Sequence, residues 1–193
     1  MKHREMIKSA LRLTISIYVG VLWALVATAN AQSVSDKQAI RVFESEVQEY
    51  VKLRNQVKDK VPKLSKDATP EQIQTFMTSF QEATRAARMG AKAGEIFKPE
   101  VSTYIRMTLK THFRGQDRAE LRKTIFEAEN ETIPIRVNYP YPQDKEFTEM
   151  PATLLLKLPQ LPKELRYRFI GRNMILVDRD NNLIVDYMVD ALP

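Results

Sequence analysis

The chain has 193 residues, a formal net charge of +6 and no cysteine. This length suits one domain that folds without covalent cross-links, and the lack of thiols excludes disulfides, thiol catalysis and thiolate metal sites. Half of the net charge falls in residues 1–31. The excess over the remaining residues is too small to indicate a nucleic-acid-binding protein.

The first 31 residues have the three parts of a secretory signal peptide. Residues 1–12 are basic, residues 13–27 are apolar, and Ala-Asn-Ala at 29–31 is a small-x-small cleavage site. An uncleaved anchor is the alternative, but the apolar run is shorter than the ~20 residues that span a bilayer. We therefore expect cleavage after Ala31, a periplasmic or secreted protein that begins at Gln32, and no stable transmembrane anchor.

Residues 32–130 are predicted to be a helical region of about four helices. In the first helix, apolar residues recur at an alternating spacing of three and four, and Arg54 takes the place of the next apolar residue. Such a stripe either pairs with a helix of another protein or packs on the next helix of the same chain. The stripe comprises Ile40, Phe43, Val47 and Tyr50.

The second helix has a clear start. Thr69 and Gln72 fit a capping box, and Pro70 suits the first turn. Pro99 and Asp117 are predicted to begin the third and fourth helices. Apolar and then small residues predict the buried face of the second helix: Ile73, Phe76, Met77, Phe80, Ala83, Ala87, Gly90, Ala91 and Gly94.

Residues 131–193 combine a proline-rich linker with a β-meander. Proline recurs there and breaks helices. Short strands are predicted at Ile133–Val137 and Thr153–Leu158. Three longer ones are predicted at Leu165–Ile170, Asn173–Asp178 and Leu183–Val189, joined by tight turns. The predicted fold is α+β, with the helical half packed on a small antiparallel meander in one domain.

Few residues point to catalysis or to a metal. After residue 31 the only histidine is His112, and one histidine cannot build the common zinc sites. Asp178, Asp180 and Asn182 resemble the first half of a calcium loop, but the glycine and glutamate that complete such a loop are missing. We interpret these residues as a hairpin turn, and predict no catalytic residue, no metal ligand and no cofactor.

A row of basic residues begins on the third predicted helix and continues beyond it. The spacing is four residues throughout, which on one continuous helix makes a slowly turning ridge. The ridge would bind an anionic surface, or it is a solvated face that Gly115 and the cap at Asp117 interrupt. Its members are Arg106, Lys110, Arg114, Arg118 and Arg122.

The end of the chain carries a family resemblance. Within residues 161–186, Leu-Pro precedes a Tyr-Arg strand, followed by Gly, Leu-Val-Asp and Ile-Val-Asp. This order resembles the C-terminal hairpin of an uncharacterised family of secreted bacterial proteins, and more loosely that of periplasmic proteins of nickel and cobalt homeostasis. The resemblance implies a hairpin and an envelope location. It implies no functional residue.

Together these features favour an exported, non-catalytic protein that binds an envelope protein or an anionic surface. The alternative is a small hydrolase that acts on envelope polymers through a pair of carboxylates, since acidic residues are plentiful.

Overall fold

A computed structural model describes residues 34–112, 134–141 and 152–192. The chain divides into two compact units, Met1–Gln38 and Ala39–Pro193, and all described residues after 38 belong to the second unit. Helix α1 covers residues 34–58. The elements that follow α1 are, in chain order, α2 (Pro70–Ala87), α3 (Pro99–His112), the single turn α4 (Ala152–Leu155), β1 (Leu165–Ile170), β2 (Asn173–Asp178) and β3 (Ile184–Met188).

The α+β class is confirmed. The described residues contain three helices longer than one turn, where the sequence predicts about four; the predicted helix from Asp117 lies outside these residues. None of the helices in the described ranges is both long enough and apolar enough to cross a bilayer.

Helix α2 begins as its sequence predicts and ends earlier. The Gln72 N–H donates to the Thr69 hydroxyl, and the Thr69 N–H donates to the Gln72 side chain, which completes the capping box. The helix stops at Ala87, and Gly90 and Gly94 adopt φ angles of 147° and 84°. The prediction that these glycines continue a helical face is therefore wrong, because their backbone leaves the helical region.

The three-stranded antiparallel sheet has the order β1-β2-β3, which confirms the predicted meander. Gly171, with a φ of 53°, makes the first turn, and Asn182, with a φ of 56°, ends the second. Both residue types tolerate the left-handed conformation that tight turns require.

Both faces of the sheet are covered. One face joins α1 and α3 in the main core, where Phe43 stacks on Phe97 with ring centroids 5.7 Å apart. On the other face, Ile175, Val177 and Ile184 pack against Tyr141 in a smaller cluster. This two-sided burial explains why β2 is apolar at almost every position.

The two shorter strand predictions are wrong. Thr153–Leu158 begins with the helical turn α4 instead, and the buried residues Leu154 and Leu158 are four apart, which is a helical rather than an alternating spacing. The described part of Ile133–Val137 forms no strand. It leads into Asn138, whose φ of 65° breaks an extended chain, and only then does Pro140 form an isolated bridge with Leu183.

Candidate functional site

The apolar stripe of α1 is covered by the chain itself. Phe43, Val47 and Tyr50 are buried in the main core, and Ile40 is half-buried. These side chains therefore pack inside the fold and do not form an exposed surface for a partner helix, as the intramolecular interpretation of the stripe predicts.

The two described members of the basic ridge differ, because Arg106 is hydrogen-bonded to the backbone and Lys110 is exposed. The Arg106 guanidinium donates to the backbone carbonyls of Val189, at 2.9 Å, and Asp190, at 3.2 Å. Lys110 is exposed one turn later on α3. Arg106 thus fastens the segment after β3 to α3. Arg114, Arg118 and Arg122 lie outside the described residues.

A buried ionic network occupies the place in α1 where the apolar spacing is broken. The Nε of Arg54 donates to Oδ2 of Asp178 at 2.7 Å, and the Tyr50 hydroxyl donates to the same oxygen at 2.7 Å. The Arg54 guanidinium also lies 5.3 Å above the centre of the Phe80 ring. Burial, with the negative charge of Asp178 and the hydrogen bond to it, raises the pKa of Tyr50 well above its ordinary value, so the phenol stays protonated and donates.

Asp180 extends this network to the surface. Its Oδ2 accepts from Nη2 of Arg54 and from Nζ of Lys58, both at 2.5 Å. Burial acts to raise the pKa of Asp180, but hydrogen bonds and charges from Lys58 and Arg54 outweigh it and lower the pKa. Oδ1 of Asp178 accepts the backbone N–H groups of Asp180 and Asn181. These acids stabilise a hairpin turn, as their sequence interpretation holds.

Asp186 is the second buried acid, and it holds the segment before α3. Its Oδ1 accepts the N–H groups of Gly94, at 2.7 Å, and Tyr187, at 2.8 Å. Its Oδ2 accepts those of Ile96 and Phe97, both at 2.8 Å. Burial raises the pKa of Asp186, and the four N–H donors oppose that rise. A side chain so fully bonded is suited to anchoring a loop rather than to exchanging protons with a substrate.

His112, the one histidine after residue 31, also has a hydrogen-bond partner within the fold. Nδ1 of His112 lies 2.8 Å from the Thr108 carbonyl on the exposed surface of α3. Among the described residues, no three acidic or histidine side chains are grouped so that they could hold a metal ion.

A concave site lies in the described part of the helical half. A groove of about 360 Å³ runs between the turn that follows α1 and the first half of α2. Leu64 at its edge is 42% exposed, and Ile73 on the same half of α2 is 41% exposed. The lining residues are Val61, Pro62, Lys63, Leu64, Ser65, Glu71, Gln72, Thr75, Phe76 and Ser79.

The groove corrects the prediction for α2. Phe80 is fully buried, but Phe76 and Met77 are only half-buried and Ile73 is exposed. The first half of the expected buried face therefore remains accessible. A weak sign of this is visible in the sequence, because the turn opposite, with Lys63 and Ser65, has too few apolar side chains to cover a helix face.

No protein-family model, no curated protein and no solved structure matches this chain.

Proposed function

We propose that this chain is an exported cell-envelope protein that binds another protein through its helical half and catalyses no reaction. The groove between residues 61–65 and α2 is the observation that carries this proposal. It is open, with Leu64 at its edge exposed to solvent and Phe76 in its wall only half-buried, and Ile73 on the same half of α2 is exposed as well. Accessible apolar side chains next to a concave surface are typical of a binding site.

The lysines of the turn favour an acidic occupant on their side of the groove, whereas the α2 side carries Glu71. Lys60, Lys63 and Lys66 are exposed on the turn and form no ion pair with any residue in the described ranges. Lysine side chains at the edge of an apolar site attract acidic partners and orient them. The occupant is therefore a segment of a partner protein that places an apolar side chain beside Leu64 and acidic residues beside the lysines.

The hydrolase alternative finds no support in the acids of the described residues. The two that are buried, Asp178 and Asp186, accept hydrogen bonds at both oxygens from groups of the fold. A glycosidase-like pair needs one carboxyl group that can release a proton to the substrate.

Site-specific photo-cross-linking in the protein's own cells tests the binding proposal. A photoreactive residue replaces Thr75, which lines the groove, or Glu49, which is exposed on α1. We expect one dominant cross-linked protein from position 75 and none from position 49. Leu64→Asp should abolish the cross-link, whereas Met89→Asp, at a more exposed apolar residue outside the groove, should leave it intact. Equal labelling from both positions, or indifference to Leu64→Asp, would refute the proposal.

The envelope location rests on residues 1–31 and needs a separate experiment. Cells that produce the full chain are fractionated, and the N-terminal residue of the recovered protein is determined. We expect Gln32 at the N-terminus of protein in the periplasm or the medium. Intact Met1 in the cytoplasmic or membrane fraction would overturn the export proposal without bearing on the groove.

A further inference from the structure

A second exposed site lies on the surface that α2 shares with residues 134–141. The ring of Tyr139 is 51% exposed. The guanidinium carbon of Arg85 lies 5.6 Å from the ring centre, and that of Arg136 lies 5.5 Å from it. We infer that Arg85, Arg136 and Tyr139 form a binding site for a phosphate group.

The site is held in place by the fold. Nε of Arg85 donates to the Asn138 carbonyl at 2.8 Å. The Asn138 side chain donates to the Arg88 carbonyl and accepts from the Arg88 guanidinium, at 2.9 and 2.7 Å. The Tyr139 carbonyl accepts the N–H of Ile184 in β3 at 2.8 Å. Because these bonds position Arg85 and the backbone of Tyr139 before a ligand arrives, less conformational entropy is lost on binding.

The groups that face solvent keep their hydrogen-bonding capacity. Among the described residues, neither terminal nitrogen of Arg85 has a hydrogen-bond acceptor, and no acceptor meets the Arg136 guanidinium or the Tyr139 hydroxyl. Glu82, which is exposed on the same helix, forms no ion pair with either arginine within this part of the structure. Two positive charges thus converge on one aromatic ring without a counter-charge from the described residues.

The number and geometry of these hydrogen-bond donors suit a phosphate group. Guanidinium forks bind oxyanions through paired hydrogen bonds, and two forks with a phenol can surround a tetrahedral group that has three or four oxygens. Arg88, the third arginine nearby, differs from the other two. Its Nη1 already donates to Asn138 and Val185, and burial lowers its pKa. It supports the site rather than binding the ligand.

The phosphate can be a free anion or part of a lipid headgroup, and one experiment separates the two. The protein expressed from its full sequence is titrated with inorganic phosphate at constant ionic strength. In parallel it is sedimented with vesicles of phosphatidylglycerol and phosphatidylcholine, and with vesicles of phosphatidylcholine alone. Arg136→Gln removes one fork from an exposed residue whose guanidinium lies on the Tyr139 ring and makes no hydrogen bond to the described residues, so the variant should fold normally. Arg41→Gln, at an exposed arginine of α1, is the matched control.

We expect Arg136→Gln to weaken binding about tenfold, since a charge-assisted hydrogen bond is lost, and Arg41→Gln to leave it unchanged. This pattern with inorganic phosphate identifies a free anion, and with phosphatidylglycerol vesicles alone it identifies a headgroup. Binding of neither probe, or equal weakening by both substitutions, would overturn the inference. Leu64→Asp in the groove should not affect either probe, so this test is independent of the proposed protein partner.

Discussion

Arg54 on α1 and Asp178 at the end of β2 form an ion pair of 2.7 Å between Nε and Oδ2, across 124 residues of sequence. Their side chains are 2% and 0% exposed. The pair joins the helical half of the fold to the meander at the position where the apolar stripe of α1 is interrupted.

Removing one partner of this pair should strongly destabilise the folded protein. Asp178→Asn would leave the buried Arg54 guanidinium with Asp180 as its only acidic partner among the described residues, and we expect the free energy of unfolding to fall by about 3–5 kcal/mol. Tyr50→Phe is the mild comparison, because it removes one hydrogen bond to Asp178 and keeps the ring, at about 1 kcal/mol. Urea unfolding of the three proteins measures both effects. Equal losses for the two variants would contradict a central role for the ion pair.

Asp180 should make stability depend on pH in the acid range. Its pKa in the folded protein lies below the ordinary value of 3.8, so the folded state favours the carboxylate. Its contribution is therefore present above that value and is lost as the pH falls through the lower, folded pKa. We expect wild type to exceed Asp180→Asn in unfolding free energy at pH 7, by no more than about 1 kcal/mol because the carboxylate is partly exposed.

The check is urea unfolding of wild type and Asp180→Asn between pH 7 and pH 2. The difference between the two proteins should shrink as the acid range is entered. A difference that stays constant over the whole range would show that the charge of Asp180 contributes nothing.

The features that sequence predicts well are those with local causes. The capping box of Thr69 and Gln72 is formed by residues three apart, and the turn at Gly171 depends on one residue that tolerates positive φ. The strands that flank this turn are adjacent in sequence and pair as a hairpin. In the segment around Leu154, three consecutive leucines give no alternation, so the strand prediction had little physical basis.

The long-range contacts could not be predicted in the same way. Arg54 is visible as a break in the apolar spacing, but nothing local indicates that its partner is Asp178. The Tyr139 site arises because Asn138 brings its segment onto α2. Its two arginines are 51 positions apart in sequence, and only the folded chain brings them to one ring.

Asp186 offers a test of the loop that it anchors. In Asp186→Asn the side chain keeps one oxygen, so two of the four N–H groups from residues 94–97 and Tyr187 lose their acceptor. Each buried N–H left without an acceptor costs about 1–3 kcal/mol, so we expect a total loss of about 2–6 kcal/mol. Hydrogen exchange should show loss of protection at Ile96 and Phe97 first. Unchanged protection there would disprove the anchoring role.

Asn182 separates a backbone effect from a side-chain effect. Its φ is 56°, and its amide donates to the Tyr141 carbonyl at 2.5 Å. Asn182→Gly loses that hydrogen bond and keeps the left-handed backbone without strain, whereas Asn182→Ala loses the bond and is strained as well. At ordinary positions alanine is more stable than glycine by about 0.5–1 kcal/mol. Here we expect the reverse order, with the alanine variant about 1 kcal/mol less stable in thermal or urea unfolding. The ordinary order would mean that the left-handed turn at Asn182 does not form.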